Sequence, residues 1–333
     1  MAPQSQASRP QPPIHRWPAE WEPLDAVWVV PPHNPETWPG CLDAAAEQHA
    51  AWCTAMGEVV TVRTTQAANI PTNDSWVRDF GPLFVYPVDA GGHDLPGQLV
   101  AQDFRFNGWG DKYEPRPLDD AAGAAIASSA GAKIIRHERI LEGGALDSDG
   151  AGTLLTTTNC LLNPTRDDKG RPGERADIEA MLRSTLGITR TLWLDADLPG
   201  DDTDGHVDNA ARFVAPGCVV VHPAIDPTPL HDAGLEVTTL PAADPLTYDY
   251  PPDPSVPGDE GGVRPLPASY ANFIIANGRV FVPTFGTSSD DAALRLLDDL
   301  MPRHTPVPVR AEHLLVGLGA LHCLSMQQPK VLA

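Results

Sequence analysis

The segment Asp201-Asp202-Thr203-Asp204-Gly205-His206-Val207-Asp208-Asn209 lies between two apolar runs, residues 191–194 and 213–214. If the segment is extended, side chains two residues apart point to the same side of the chain. Asp204, His206 and Asp208 would then share one face, which would place a proton carrier between two carboxylates. A solvated acidic turn is the ordinary alternative. The central histidine, and a second histidine beside a cysteine at 322–323, favour a functional site.

Short apolar strands and single helices alternate along the whole chain, which predicts an α/β fold. Strand–strand–helix–strand units recur about five times, with no change of composition that would divide the chain. The Asn277-Gly278 pair predicts a hairpin. Residues 241–267, rich in Pro and Asp, are predicted to form a loop without a helix. The strands are predicted at 26–30, 58–62, 83–86, 99–104, 133–140, 153–155, 191–194, 213–214, 218–222, 272–276, 279–282 and 306–309, and the helices at 42–56, 120–129, 175–186 and 290–301.

The composition limits the partners of this chain of 333 residues. Its formal net charge of −21 argues against binding to nucleic acid or to an anionic membrane. The same charge would attract a cationic substrate, and solubility alone explains it equally well. No apolar run is long enough to span a membrane.

The five cysteines are widely spaced and form no Cys-x-x-Cys pair, which argues against a disulfide framework and a structural zinc site. A reducing cytoplasm is therefore the expected location. Residues 1–13 lack the apolar core of a signal peptide and are predicted to form a disordered tail. Residues 14–333 are predicted to form a single catalytic domain.

Three further clusters carry reactive side chains. Residues 73–82 read Asn-Asp-Ser-Trp-Val-Arg-Asp-Phe-Gly-Pro, residues 141–144 read Leu-Glu-Gly-Gly, and residues 317–324 read Gly-Leu-Gly-Ala-Leu-His-Cys-Leu. Taken singly, each is typical of a surface loop, a turn or a core strand. Cys323, after its Gly-rich loop, is a candidate nucleophile with His206 as its acid and base. The other cysteines, Cys41, Cys53, Cys160 and Cys218, are predicted to be ordinary core residues.

Together the clusters offer a thiol, an imidazole and the carboxylates of Asp79, Glu142, Asp204 and Asp208. Like charges gathered in a pocket are costly unless a cation pairs with them. A metal ion is one possibility, because residues 202, 204 and 208 partly resemble a calcium loop, although the glutamate that ends such a loop is absent. A guanidinium is the other, because its planar fork of five donors suits two carboxylates.

The motifs resemble those of the agmatine deiminases, within the Porphyromonas-type peptidylarginine deiminase family and the pentein superfamily. The matching segments span nearly the whole chain, in the order of the family. They are residues 17–23, 73–82, 141–144, 159–164 (Asn-Cys-Leu-Leu-Asn-Pro), 202–209, 268–273 (Ala-Ser-Tyr-Ala-Asn-Phe) and 322–323. The resemblance implies a five-bladed α/β propeller of ββαβ units, with the active site on its pseudo-fivefold axis.

The resemblance also implies roles for individual residues. Cys323 would be the nucleophile, His206 the general acid and base, and Asp79 and Asp208 the guanidinium carboxylates. Pocket residues would be Trp76, beside the apolar stem of the substrate, and Glu142, with Asp204 and Arg78 as further substrate contacts. The implied reaction converts agmatine and water to N-carbamoylputrescine and ammonia through a covalent thiouronium, as in polyamine and putrescine biosynthesis. It needs no metal or other cofactor, and the family suggests a homodimer.

The chain departs from the family at the rim of the pocket. Leu318 and Ala320 interrupt the usual Gly-rich approach to the His-Cys pair, Asp147 stands in a stretch that usually includes a histidine, and Phe80 replaces a small polar residue. Another guanidine, including free or peptidyl arginine, therefore stays open as the substrate, and Arg78 and Arg105 are candidates to bind its carboxylate. A metal-dependent hydrolase and a non-catalytic polyamine-binding protein are the alternatives from other classes.

Overall fold

The structure, a computed structural model, describes residues 14–113, 116–167, 169–252 and 260–332. The predicted tail at 1–13 lies outside the described residues. The helices are α1 Leu42–Met56, α2 Val77–Phe80, α3 Gly108–Asp111, α4 Pro117–Ser129, α5 Thr158–Leu161, α6 Arg175–Leu186, α7 Val207–Ala210, α8 Thr228–Asp232 and α9 Asp290–Leu300. Short 3₁₀ turns cover Gly143–Ala145, Pro164–Arg166 and Leu314–Gly317.

The strands are short and alternate with these helices along the chain. They are β1 His15–Arg16, β2 Leu24–Val29, β3 Thr61–Thr64, β4 Leu83–Pro87, β5 Val100–Arg105, β6 Lys133–Ile140, β7 Asp147–Ser148, β8 Thr153–Thr157, β9 Arg190–Leu194, β10 Ala211–Ala215, β11 Cys218–Val221, β12 Glu236–Thr239, β13 Thr247–Tyr250, β14 Gly262–Pro265, β15 Ile274–Ala276, β16 Arg279–Thr284, β17 Thr305–Arg310 and β18 Ser325–Pro329. The fold is therefore α/β, as predicted.

Five sheets share one topology. In each, two antiparallel strands are followed by a helix and a third strand that is parallel to the second, because a parallel connection needs a crossover. The sheets are β4-β5-β6 (extended by β1), β7-β8-β9, β10-β11-β12, β15-β16-β17 and β18-β2-β3. The recurrence of a strand–strand–helix–strand unit is thereby confirmed.

The fifth sheet joins the two ends of the chain. Strand β18 pairs antiparallel with β2, with Ser325 opposite Val29 and Met326 opposite Trp28, and β2 then pairs parallel with β3. Cys323 stands two residues before β18. The pairing of the chain ends thus fixes the segment that carries the candidate nucleophile.

Most predicted elements are present. Helices α1 and α6 and strand β6 have the predicted bounds, and the Asn277-Gly278 hairpin is confirmed by the antiparallel pairing of β15 with β16. The strand predicted at 58–62 was placed too early, since β3 begins at Thr61. Within 241–267 the described part holds no helix but does form the hairpin β13-β14, while residues 253–259 lie outside the described chain.

The hydrophobic core reaches the segments that carry the candidate site. Trp76, Leu321 and Cys323 belong to the same buried cluster as Trp28 and Phe84. The reactive side chains therefore lie on turns held in place by the packed core.

Among the described helices, none is both long and apolar enough to cross a bilayer.

Candidate active site

Cys323 follows a turn in which Leu318 takes a left-handed conformation, with φ of 71°. Its side chain is buried, with 5% exposure. Asn272 Nδ2 donates to Cys323 Sγ at 3.0 Å, and Asn272 Oδ1 accepts from the backbone N–H of His322 at 3.0 Å. Cys323 Sγ lies 3.6 Å from Asp208 Oδ2. One asparagine thus holds both the thiol and the backbone beside it.

Two buried carboxylates occupy the first turns of two short helices, Asp79 in α2 and Asp208 in α7. Gly144 N and Trp109 Nε1 each donate to Asp79 at 3.0 Å. Asp208 Oδ2 accepts from His322 Nδ1 at 2.8 Å, while Asp208 Oδ1 has no hydrogen-bond partner in the described part of the chain. Each carboxylate is therefore oriented, and Asp208 keeps an oxygen free to accept from a ligand.

Gly144 is the point around which these groups meet. A Cβ atom at this position would lie 2.5 Å from His206 Nδ1, 2.8 Å from Asp79 Oδ1 and 3.2 Å from Asp208 Oδ2. Distances below 3.0 Å are too short for a real contact, so any larger residue would displace the imidazole or a carboxylate. The Leu-Glu-Gly-Gly motif is explained by this close approach.

His206 immediately precedes α7 and is buried. Its Nδ1 lies 3.6 Å from Asp79 Oδ1, and neither ring nitrogen has a hydrogen-bond partner among the residues that the structure describes. Burial alone would lower the pKa of His206, but the negative charge of Asp79, with contributions from Cys160 and Asp208, raises this pKa well above its ordinary value. The imidazole is thus prepared to donate a proton.

The pKa values of Cys323 and Asp79 are both raised, which favours the protonated, uncharged form of each group. Burial, and then the charges of Asp208 and Asp79, raise the pKa of Cys323 well above its ordinary value. Burial and the charge of Asp208 also raise the pKa of Asp79, to about 6, against the lowering effect of His206. A cation bound between the carboxylates would relieve both effects.

Comparison with known proteins identifies the group to which this arrangement belongs. The Porphyromonas-type peptidyl-arginine deiminase family matches residues 16–329. The chain belongs to this family. It is 34% identical to the agmatine deiminase of Ectopseudomonas mendocina, over 94% of this chain and 95% of that protein.

Solved structures agree with the assignment to the deiminase family. The agmatine deiminase of Enterococcus faecalis superposes with a TM-score of 0.84 at 27% identity, covering 99% of this chain and 100% of that one. A Cys-to-Ser variant of the C. jejuni agmatine deiminase, solved with substrate bound, superposes with a TM-score of 0.83 at 26% identity, covering 96% and 97%.

In this deiminase the segment around His206 is not extended, so the prediction that Asp204 shares a face with His206 and Asp208 is wrong. Asp204 and Gly205 adopt left-handed conformations, with φ of 63° and 88°. Thr203 Oγ1 accepts from His206 N at 3.0 Å and closes the turn. Asp204, 24% exposed, pairs instead with Lys112 at 2.9 Å and Arg166 at 2.7 Å.

Arg78 also differs from its predicted role as a substrate contact. Its side chain is 1% exposed, its Nε donates to the carbonyl of His322 at 3.1 Å, and its Nη1 donates to Gln327 at 2.5 Å. Because the guanidinium is bonded beneath the Cys323 turn, it supports that turn and is not free to bind a substrate carboxylate. Arg105, the other candidate for this role, ends strand β5.

Trp76 lies beside Cys323, as a pocket wall would require. Its ring stacks on Trp38 with centroids 5.4 Å apart. A Cβ on Gly319 would lie 2.4 Å from Trp76 Cζ3 and 3.0 Å from Cys323 Cβ, so only glycine allows the ring this close to the cysteine. The Gly-rich approach to the nucleophile therefore makes room for the indole.

Glu142 is buried in an ion pair, with its Oε1 2.9 Å from Arg166 Nε. Its other oxygen lies 3.9 Å from the thiol of Cys160. Within the described ranges, the group able to hold a metal ion is Glu142, Cys160 and His206, whose ligand atoms all lie within 4.8 Å of one another. The acidic residues 202, 204 and 208 do not form such a group, which gives the calcium-loop interpretation no support.

Sequence reasoning missed several residues that shape the site. His322 bridges Asp208 and Glu20, with Nε2 3.0 Å from Glu20 Oε2. Glu20, Asn272 and His322 lie inside the family-like motifs at 17–23, 268–273 and 322–323, so the sequence contains a signal for them. Trp109 and Arg166 lie outside those motifs, and only the two glycines that flank Trp109 mark that position in the sequence.

Proposed function

We propose that this chain is a guanidine C–N hydrolase that converts agmatine and water to N-carbamoylputrescine and ammonia. The observation that carries the proposal is the convergence of the Cys323 thiol with two buried, oriented carboxylates and a buried imidazole. The buried negative charges of such a site repel one another, and a planar cation bound between them offsets this repulsion. The family and the agmatine deiminases that the chain resembles support the same reaction.

In the first half of the reaction, Asp79 and Asp208 accept hydrogen bonds from the guanidinium and spread its charge. The bound cation lowers the pKa of Cys323, and the thiol proton leaves to solvent. The sulphur then forms a bond to the guanidinium carbon. As the C–N bond breaks, the imidazolium of His206 gives its proton to the departing nitrogen, which leaves as ammonia.

The second half releases the product from the resulting S-alkylthiouronium. Neutral His206 takes a proton from a water molecule, and the hydroxide adds to the same carbon. The C–S bond then breaks, the ureido carbonyl forms, and the remaining hydroxyl proton returns the sulphur to its thiol form. Trp76 is proposed to line the apolar stem of the substrate. Glu142 is proposed to line the pocket. Its ion pair with Arg166 fixes its position, and Arg166 also forms an ion pair with Asp204.

We also propose that residues 14–333 form one catalytic domain, a five-bladed pentein propeller. One residue of the site stands before the first strand of each of the five similar sheets. These residues are Asp79 before β4, Gly144 before β7, Asp208 before β10, Asn272 before β15 and Cys323 before β18. A pseudo-fivefold axis through the site would explain why equivalent positions of five sheets meet at one point.

Fewer observations support the proposals for cellular location, oligomeric state and pathway. All five cysteines are free thiols, which suits a reducing cytoplasm. The resemblance to the agmatine deiminases supports a homodimer and a role in polyamine and putrescine biosynthesis.

A panel of guanidines tests the proposed activity. Agmatine, other ω-aminoalkylguanidines, free arginine and an arginine-containing peptide are each assayed for ammonia and for ureido product. We expect agmatine to give both products in equal amounts, and Cys323→Ala to reduce turnover by roughly 10³-fold or more while still binding agmatine. Turnover by Cys323→Ala, or loss of wild-type activity with a chelator, would contradict the cysteine mechanism and favour a metal-dependent hydrolase.

A further inference from the structure

Glu142, Cys160 and His206 form a cluster, here called the buried triad, that the proposed reaction does not use as a unit. The three side chains come from three separate segments: the residue after Leu141, helix α5, and the residue before α7. All three are buried, and their ligand atoms lie within 4.8 Å of one another. A thiol in this position has no part in the chemistry assigned to Cys323.

The coordination capacity of the triad is not fully occupied. Neither nitrogen of His206 has a hydrogen-bond partner within the described residues, although the ring is buried. Glu142 uses Oε1 to pair with Arg166 and turns Oε2 toward Cys160 Sγ at 3.9 Å. One carboxylate oxygen, one sulphur and one imidazole nitrogen thus lie within 4.8 Å of one another, and the imidazole has no competing partner among the described residues.

Both spacing and charge suit a small divalent cation. Ligand atoms about 2.0–2.3 Å from zinc lie roughly 3.3–3.8 Å apart in a tetrahedron, so the triad would need only a small contraction. Asp79 lies 3.6 Å from His206 and adds negative charge, while Arg166 opposes a cation. Sulphur and imidazole together select borderline metals over calcium or magnesium.

We propose that the buried triad binds a borderline divalent cation of the Zn²⁺ class, and that this cation inhibits the enzyme by engaging His206. On binding, the Cys160 S–H bond breaks and an S–metal bond forms, and the imidazolium of His206 loses a ring N–H proton so that the neutral ring can coordinate. Both protons leave to solvent. His206 then cannot protonate the leaving group. The inhibition rests on the proposed deiminase function, whereas the metal site itself does not.

Co²⁺ serves as a spectroscopic probe of the site. The metal-free full-length protein is titrated with Co²⁺ while the near-ultraviolet charge-transfer absorption of a Co²⁺–thiolate bond is recorded. We expect the band to saturate at one equivalent per chain with release of protons. Cys160→Ala should lose the band, whereas Cys323→Ala and the matched control Cys218→Ala should keep it. Circular dichroism and thermal unfolding verify the fold, and Cys160→Ser repeats the test if Cys160→Ala does not fold.

Activity supplies the second measurement. Zn²⁺ should inhibit wild-type turnover of agmatine, and Cys160→Ser should require at least about 100-fold more Zn²⁺ for the same fractional inhibition. A band that persists in folded Cys160 variants, or one that needs Cys323, overturns the assignment. Absence of the band in an active enzyme overturns this inference alone, whereas a band in a protein that turns over no guanidine overturns only the proposed function and the inhibition.

Discussion

The amide of Asn272 contacts both the thiol of Cys323 and the backbone that carries it. Its Nδ2 donates to the sulphur at 3.0 Å and its Oδ1 accepts from the N–H groups at 322 and 323. A hydrogen bond to a charged group contributes about 1.5–3 kcal/mol, so loss of this donor should lower kcat/KM by roughly 10- to 100-fold. Asn272→Asp, which keeps the acceptor and replaces the donor, should raise the pH midpoint for alkylation of Cys323.

The control for Asn272 is an asparagine with a similar number of hydrogen bonds elsewhere. Asn277 bonds to the backbone of Leu24 and Val59 through its side chain. Asn277→Ala should lower the thermal unfolding midpoint without shifting the alkylation midpoint. If Asn272→Asp leaves that midpoint unchanged, the amide has a structural role only.

The pKa of Asp79 predicts an acid limit for substrate binding. This carboxyl must be ionised to bind the guanidinium, and its pKa in the free protein is raised to about 6, mainly by burial. The ionised fraction grows as pH rises, so the affinity of the inactive Cys323→Ala variant for agmatine should increase about tenfold per pH unit below about 6 and level off above it. An affinity that is flat from about pH 5 to about pH 7 would show that Asp79 ionisation does not limit binding.

Among the elements, the single turn α3 places Trp109 against Asp79 through an unusual backbone. Residues 108–111 all have positive φ, from 57° at Trp109 to 90° at Gly110. A Cβ on Gly110 would lie 2.4 Å from Thr165 Oγ1 and 2.7 Å from Arg166 Nη1. Gly110 therefore allows both the left-handed conformation and the contact with the segment that holds Glu142.

Gly110→Ala should disturb the site beyond its cost in backbone strain. The left-handed conformation alone costs about 1–3 kcal/mol for a non-glycine residue. Gly217→Ala is the matched control, because Gly217 has φ of 77° and nothing within 4 Å of a Cβ. Both variants should lower the unfolding midpoint, but only Gly110→Ala should lower kcat/KM, by roughly tenfold or more. Equal kcat/KM in the two variants would contradict a role for the turn in positioning Trp109.

A helix, strand or turn could be predicted from the sequence only where its pattern is contained within one short segment. The 3.6-residue period of α1 and α6 and the Asn277-Gly278 turn are local properties, and these elements were predicted correctly. The short helices α2 and α7 are single turns without room for a period, so the conformation around Asp204 and His206 was predicted wrongly. The prediction that Cys160 is a core residue is confirmed, whereas Cys41, Cys53 and Cys218 are only partly buried. The proximity of Cys160 to Glu142 and His206 joins distant segments and has no local signal.

For the whole molecule, the pairing of β18 with β2 could not be predicted from sequence, because no local pattern specifies a partner nearly 300 residues away. The repetition of strand–strand–helix–strand units was nevertheless visible. Once five similar sheets exist, the positions before their first strands carry Asp79, Gly144, Asp208, Asn272 and Cys323. Five of the seven motifs that resemble the deiminase family stand directly before these first strands, whereas residues 17–23 and 159–164 lie elsewhere in their units.

The net charge of −21 leads to a prediction about substrate capture. If the negative field attracts the substrate, screening should reduce kcat/KM as the Debye length falls from about 30 Å at 0.01 M salt to about 3 Å at 1 M. Agmatine carries a guanidinium and a primary ammonium, whereas butylguanidine carries the guanidinium alone. The slope of log kcat/KM against ionic strength should therefore be steeper for agmatine, by roughly a factor of two.

The comparison of two substrates separates attraction from solubility, the other explanation of the charge. Any effect of salt on the fold acts on both substrates equally and cancels in the ratio of their kcat/KM values, and the thermal unfolding midpoint at each salt concentration confirms that the enzyme stays folded. A ratio that does not change with NaCl concentration would mean that the acidic surface serves solubility, and that recognition of the cation begins only at Asp79 and Asp208. A ratio that falls with salt would mean that recognition begins in solution, before the substrate reaches the buried carboxylates.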